Sequence, residues 1–412
     1  MKILSLRSRE ILDSRANPTV EVELETGKGV FVAGAPSGAS TGEHEACELR
    51  DGGDRRGGLG VLNAVRNIEE IIAPKILGQN INSQDSADRL MLELDGTENK
   101  SKLGANAIVA VSMAVSRALA AEEGVPLYRY LNTVFNQKRE QELSLPRPCF
   151  NVINGGAHAG NELDVQEFML VPQADSFAEN LEIGAEVYRS LKAALKAEIG
   201  PAAINVGDEG GFAPSLLYPE QVLDLISGAA QKIGLQSRVK FILDVAASQF
   251  FKNGEYKTQM GTFDREGLAN YYLGLISKYP IIALEDPFEE DDIGGWQLIK
   301  SKVKDLKVTI LGDDLTVTNP KRIELAQGKE ACDGMIIKVN QIGTVSEAME
   351  AVNLAKGFGW KVMISHRSGE TCDDFISDLA VGVGADFIKS GAPARGERGA
   401  KYNRLAKIEK EL

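Results

Sequence analysis

Three acidic residues, Asp244, Glu285 and Asp313, each close a short apolar run, in "KFILD", "IIALED" and "VTILGDD". Three later runs close on cationic or titratable groups: "GMIIK" at Lys338, "KVMISH" at His366 and "DFIK" at Lys389. One acidic run end would be read as a salt bridge or a helix cap. Three in succession on one face repel each other unless a cation lies between them. A donor set of oxygens without Cys or His selects a hard ion, Mg²⁺ first and Mn²⁺ second. A lysine beside such an ion and a second ammonium has its neutral form favoured, which suits Lys338 to general-base work. The competing reading is that the lysines only neutralise the acids opposite. Arg367 and Ser368, directly after His366 in "SHRSGET", offer a guanidinium, a hydroxyl and backbone N–H groups suited to a phosphate. This set fits removal of a proton next to a carboxylate, with expulsion of a leaving group beyond it.

These groups need a scaffold that brings them together. The six run ends are separated by 41, 28, 25, 28 and 23 residues, near the roughly 30 residues per strand-helix unit of an eightfold barrel. Helical segments such as "LANYYLGLISKY", "PKRIELAQ" and "TVSEAMEAVNLAK" lie between them. Buried parallel strands read as continuous apolar runs, and barrel chemistry gathers at their C-terminal ends. Two more strands, "PCFNVIN" and "VQEFMLVP", close the barrel. The linker "GGAHAGNELD" between them is too short for a parallel crossover, so this pair is expected to be antiparallel. Helices over 176–199 and 219–233 follow without a strand between them, joined by the turn "VGDEGGFAP".

The predicted order of residues 137–412 is therefore ββαα(βα)₆, a TIM-like barrel in an α/β chain. Residues 1–136 read differently. "KILSLRSREIL", the alternating "PTVEVELETG" and "GVFVAGAP" predict an antiparallel meander. Helical patterns near 61–73, 84–95, 104–123 and 126–136 complete an N-terminal α+β capping domain. The polar stretch "NQKREQELSLPRP" links the two.

Composition excludes several function classes. Apolar residues make up 43% and charged residues 25% of the 412, which describes a globular chain. A net charge of −13 argues against nucleic acid or an anionic membrane surface as partner. No P-loop or dinucleotide fingerprint is present. The four cysteines, Cys47, Cys149, Cys332 and Cys372, are scattered, so neither a disulfide framework nor a zinc cluster is expected, and a reducing cytoplasm is the simplest location. Cys372, near His366, is read as a buried inert thiol. "ANAIVAVSMAVSRALA" carries Ser112, Ser116 and Arg117 at helical spacing and reads as a packed helix, not a membrane span. Of the three histidines, His158 and His366 fall in these clusters, while His44 is read as an exposed helix-start residue.

Eleven blocks in register along almost the whole chain resemble the enolase family: "SREILDSRANPTVEVE", "PSGASTG", "LDGTENKSKLGANAI", "NGGAHAGN", "QEFM", "VGDEGGFAP", "LEDPF", "GDDLTVTNPKRI", "KVNQIGT", "SHRSGET" and "IKSGAPARGER". The resemblance implies an α+β cap on a ββαα(βα)₆ barrel and a glycolytic and gluconeogenic hydro-lyase. It implies interconversion of 2-phosphoglycerate with phosphoenolpyruvate and water through a Mg²⁺-stabilised enolate. By position, it implies Asp244, Glu285 and Asp313 as metal ligands, with Ser40 joining a second Mg²⁺. Lys338 would take the C2 proton and Glu209 would be the acid, with Glu167 beside it. Lys389 would hold the substrate carboxylate and Arg367 and Ser368 the phosphate. His158 and His366 would line the pocket, with Gln166 adjacent. The implied partners are a small phosphorylated acid and a second copy of the chain, as a homodimer or an assembly of dimers, with no nucleic acid and no membrane. A related barrel enzyme acting on a non-phosphorylated acid fits less well, because "SHRSGET" and "PSGASTG" would then serve nothing. A non-catalytic scaffold is disfavoured because Glu209, Lys338 and the three acids are all retained. Gln249 replaces a glutamate usual after "AAS", and "RRGGLGV" replaces a more usual Gly-Lys-Gly-Val stretch; neither lies among the implied catalytic groups.

Overall fold

Alternating apolar and charged residues over Pro18–Thr26 make a strand with one wet face. That strand, β2, is the middle of a three-stranded antiparallel sheet with β1 (Ile3–Leu12) and β3 (Gly29–Gly34). The chain is seen here as a computed structural model that describes residues 1–39, 44–136 and 143–412. Val20, Val22 and Leu24 on the inner face of β2 are fully buried, and the sheet packs on the helix Ala105–Glu123. By length and composition this helix could cross a membrane, yet 83% of its apolar window is buried inside the protein. Ser112 and Ser116 explain its setting. Ser112 Oγ donates to Asp88 Oδ1 at 2.7 Å and Ser116 Oγ to Gln84 Oε1 at 2.7 Å. The same Ser112 Oγ accepts Val345 N–H at 3.0 Å, tying the cap to a barrel helix. Buried hydroxyls satisfied in this way cost little, whereas left unpaired each would cost about 1–3 kcal/mol.

The predicted barrel is present and closed. Its strands are β4 (Arg147–Asn154), β5 (Glu167–Pro172), β6 (Val239–Asp244), then β10 (Ile281–Glu285), β11 (Thr309–Gly312), β12 (Gly334–Ile337), β13 (Lys361–Ser365) and β14 (Phe387–Lys389). As the linker length required, β4 and β5 are antiparallel, and β5 is antiparallel to β6 as well. All the other barrel pairs are parallel. Helices Phe177–Glu198 and Pro219–Lys232 follow β5 in succession. Inward side chains, among them Cys149, Met169, Ile242, Leu311, Ile336 and Met363, form an apolar plug separate from the core outside the strands. The barrel is thus filled below its rim, and polar chemistry is confined to one end.

Four details differ from expectation. The longest interval, between Asp244 and Glu285, holds a small antiparallel sheet of β7 (Phe251–Lys252), β8 (Glu255–Thr258) and β9 (Gly261–Phe263), whose strands are too short to show alternation. The helix expected over 61–73 is broken by a wider π turn at Ile68–Ile72. Cys372 is exposed, not buried, because the chain there runs over the surface between β13 and the helix Phe375–Gly382; Cys149 and Cys332 are the buried thiols. His44 is exposed but sits in a turn, not at a helix start.

One contact gives a stability prediction. Gly184, in the first helix after β5, lies against β4, and a Cβ there would sit 2.3 Å from the Phe150 ring. Gly184→Ala is expected to destabilise by about 1–3 kcal/mol through overpacking, read as a lower urea midpoint with an unchanged slope.

Candidate active site

Each of the six charged or titratable run ends reaches the same rim. Asp244, Glu285 and Lys389 are the last residues of β6, β10 and β14; Asp313, Lys338 and His366 come one residue after β11, β12 and β13. Because β5 runs the other way, its first residue lies at this rim. Glu167 therefore pairs in register with Asn154 on one side and Asp244 on the other. Gln166, just before it, donates from Nε2 to Asp244 Oδ2 at 3.1 Å. The rim surrounds a cavity of about 260 Å³ lined by His158, Gln166, Glu167, Glu209, Asp244, Asp313, Lys338, His366, Arg367, Ser368 and Lys389. Glu285 lies beneath this wall and is fully buried. Ser40 lies outside the described residues.

The lysines sit on the acids. Lys389 Nζ is 2.9 Å from both Glu285 oxygens, 3.0 Å from Asp244 Oδ2 and 3.3 Å from Glu167 Oε1. Lys338 Nζ donates to Asp313 Oδ2, whose other oxygen accepts from Gln341 Nε2 at 3.0 Å. Burial alone would lower both lysines, but the carboxylates outweigh it, so both are raised above the ordinary lysine value. Glu285 is pushed well up, by burial first and then by the charge of Asp244.

Seven carboxylates and three cationic side chains line the cavity, and that excess of hard oxygen donors fits a divalent cation such as Mg²⁺. Lys389 bridges Asp244 and Glu285 while Lys338 holds Asp313, and among the described residues the carboxylates whose oxygens lie close enough to Asp313 to share one ion with it are Asp286 and Asp314. Four non-glycine residues at or just beyond these strand ends have left-handed backbones: Ala246 (φ 47°), Asp286 (φ 43°), Val317 (φ 40°) and Thr318 (φ 56°). Such strain costs on the order of 1–3 kcal/mol each and persists where surroundings enforce it. Here it aims contacts: Asp286 accepts the N–H groups of Asp313 and Asp314 at 2.9 Å each, and Thr318 Oγ1 accepts Lys338 N–H at 3.0 Å.

Opposite the lysines stands the turn bearing Glu209. Gly210 has φ +87°, and a Cβ on Gly211 would meet Asn154 Oδ1 at 2.5 Å, so glycine is required at both positions. Tyr188 Oη donates to Gly210 O at 2.7 Å, fixing the turn from behind. The buried Glu209 carboxylate accepts from Asn151 Nδ2 at 3.0 Å and lies 3.5 Å from His158 Nδ1 and 3.4 Å from His366 Nε2. His158 Nδ1 is also 3.6 Å from Glu167 Oε1, and these three groups come within 4.8 Å of one another. Burial, then the charge of Glu209, holds the Glu167 carboxyl well above the ordinary range. Against burial, the His366 and His158 rings hold Glu209 below it. Two acids this close titrate as a pair, with the charged form favoured on Glu209 and the protonated form on Glu167.

The third wall is the phosphate-type loop. Arg367 Nη1 donates to Glu45 Oε2 at 2.8 Å and Nη2 to Glu45 Oε1 at 3.2 Å, a bidentate contact from the cap. Ser14 Oγ of the cap donates to Ser368 O at 3.2 Å. Arg398 donates to His366 Nδ1 at 2.6 Å, and burial with this neighbouring cation pushes the His366 imidazole down to about 3. Reading run ends missed Glu45, Asn151 and Arg398, which lie in the cap, in mid-strand and on a helix. Arg398 falls within "IKSGAPARGER", where its buried position had no local signal. Gln249, which the sequence placed outside the implied catalytic groups, lines the cavity; it accepts Ala157 N–H at 3.1 Å and donates to Gln166 Oε1.

Comparison with known proteins identifies the family. Residues 3–131 match the family model "Enolase, N-terminal domain", and residues 142–412 match "Enolase, C-terminal TIM barrel domain". The chain is 50% identical over 426 residues to Enolase 1 of Entamoeba histolytica, covering 100% of this chain and 97% of that protein.

Proposed function

The chain belongs to the enolase family and interconverts 2-phosphoglycerate with phosphoenolpyruvate and water, and on that premise we propose how its own residues divide the work. Lys338 takes the proton from C2 of the substrate. Glu209, drawing on the proton it shares with Glu167, gives one to the departing C3 hydroxyl. Lys389 holds the substrate carboxylate, and Arg367 and Ser368 hold the phosphate. His158, His366 and Gln166 shape the wall between the acid turn and the rim. What supports this division most is the different origin of the groups: lysines and metal-type acids come from the parallel strand ends, while Glu209 and Glu167 come from the turn and the reversed strand. The cavity, about 260 Å³, lies below the ~300–1,000 Å³ of sites for drug-sized ligands, in keeping with a three-carbon acid.

The family is Mg²⁺-dependent. Asp244, Glu285 and Asp313 would hold one ion and Ser40 would join a second, with Mn²⁺ as a substitute, and bound metal would supply positive charge to the substrate carboxylate as negative charge builds on it. EDTA is expected to abolish formation of the phosphoenolpyruvate absorbance from 2-phosphoglycerate, and added Mg²⁺ to restore it. Full activity after chelation would dispose of the metal assignment. The protein acts in the cytoplasm as a homodimer or an assembly of dimers. In support of that assembly, the cap strands carry exposed Leu4, Leu12, Val30 and Val32.

A further inference from the structure

Arg398 is an arginine with no solvent exposure at all, in the first turn of the C-terminal helix Gly396–Glu411. A buried guanidinium is costly to place unless its N–H groups are satisfied. Nη1 donates to His366 Nδ1 and to Arg367 O, each at 2.6 Å. Nη2 donates to Ser368 O at 2.5 Å, Asp208 O at 3.1 Å and Ser14 Oγ at 3.2 Å. One planar group thus joins the phosphate-type loop, the acid turn and the cap.

The contact with His366 has a chemical consequence. Guanidinium can only donate, so His366 Nδ1 must present its lone pair. The ring proton of neutral His366 then sits on Nε2, and that atom lies 3.4 Å from Glu209 Oε2. Among the described residues His366 Nε2 has no hydrogen-bond partner, so no other described group claims this proton.

We propose that Arg398 is a positioning residue for the dehydration step: it locks His366 as the Nε2–H tautomer, whose proton is aimed at Glu209. This rests on the assignment of Glu209 as the acid. With the proton on Nε2, His366 offers a donor to the Glu209 carboxylate once the proton that Glu209 draws from its pair with Glu167 has passed to the leaving group. With the proton on Nδ1, an imidazole lone pair would oppose that carboxylate and disfavour proton release. Lys338 lies across the cavity and is untouched by the switch, so proton removal at C2 and departure of the C3 hydroxyl should respond differently to loss of Arg398.

The chain has three histidines, so ¹⁵N-histidine labelling of the full-length protein resolves them, with His366→Asn giving the assignment. In the unmodified protein His366 is expected to show a protonated Nε2 and an unprotonated Nδ1. Arg398→Met, which keeps length but donates nothing, is expected to populate the Nδ1–H form. It should also lower kcat for dehydration by about 10–100-fold, a size seen when partners behind an active-site ligand are removed, while exchange of the C2 hydrogen with solvent continues. Arg398→Lys, which can still donate to Nδ1, is expected to keep the tautomer and recover part of the rate; it also serves if the methionine variant does not fold. An Nδ1–H ring in the unmodified protein overturns the proposal without any variant. So does an unchanged tautomer in folded Arg398→Met, or equal loss of exchange and dehydration there. Should the Arg398 results hold while Glu209→Gln fails to separate the two steps, the acid assignment falls and the tautomer lock stands.

Discussion

Lys338→Ala is expected to lose exchange of the substrate's C2 hydrogen with solvent and to lower kcat by about 10²–10⁴-fold, the contribution of a positioned base. In the free protein Lys338 is raised because Asp313 outweighs burial, and Arg367 and Lys389 press the other way. Anything that takes up the Asp313 charge leaves burial and those two cations opposed only by the smaller pull of Glu285, a balance that favours the neutral amine that a base must be. The rate should then fall as pH drops through the working value of Lys338, since protonation removes the base. Lys338→Arg separates chemistry from structure: it keeps a cation facing Asp313 but cannot lose its proton near neutral pH, so exchange should vanish in a folded protein. Exchange that survives in either variant would remove Lys338 from the base role.

Glu209→Gln is expected to stop dehydration, again by about 10²–10⁴-fold, while leaving C2 exchange measurable. Glutamine keeps the size of the side chain and can still accept from Asn151 Nδ2, so the turn need not move. It carries no proton to give. The change also removes the neighbouring charge that helps raise Glu167, leaving burial as the main cause of that shift, so Glu167 should titrate at lower pH than in the unmodified protein. The cleanest reading comes from measuring hydrogen exchange and phosphoenolpyruvate absorbance on one sample. If both vanish together, acid and base are not separate residues here.

Both predictions concern residues that were found by different routes. Lys338 was legible because a buried parallel strand is a continuous apolar run, and the first charged residue beyond it has nowhere to go but the rim. The same rule found Asp244, Glu285, Asp313, His366 and Lys389, and linker length alone gave the reversal of β5. Glu209 stood out as two acids among glycines, but its role came only through family resemblance. Glu167 follows from the reversal, since the rim end of an antiparallel strand is its first residue.

What the chain order by itself determined is the barrel, its odd antiparallel pair and the list of charged ends, because strand period, apolar run length and crossover length are local quantities. Tertiary structure alone decided which charges meet. Glu45 reaches Arg367 across 322 positions and Lys389 reaches Asp244 across 145, while Arg398 turns a helix's first residues inward to His366. It likewise exposed Cys372 and folded 251–263 into a small sheet. Such pairings depend on which surfaces close against each other, and a one-dimensional pattern carries no record of that closure.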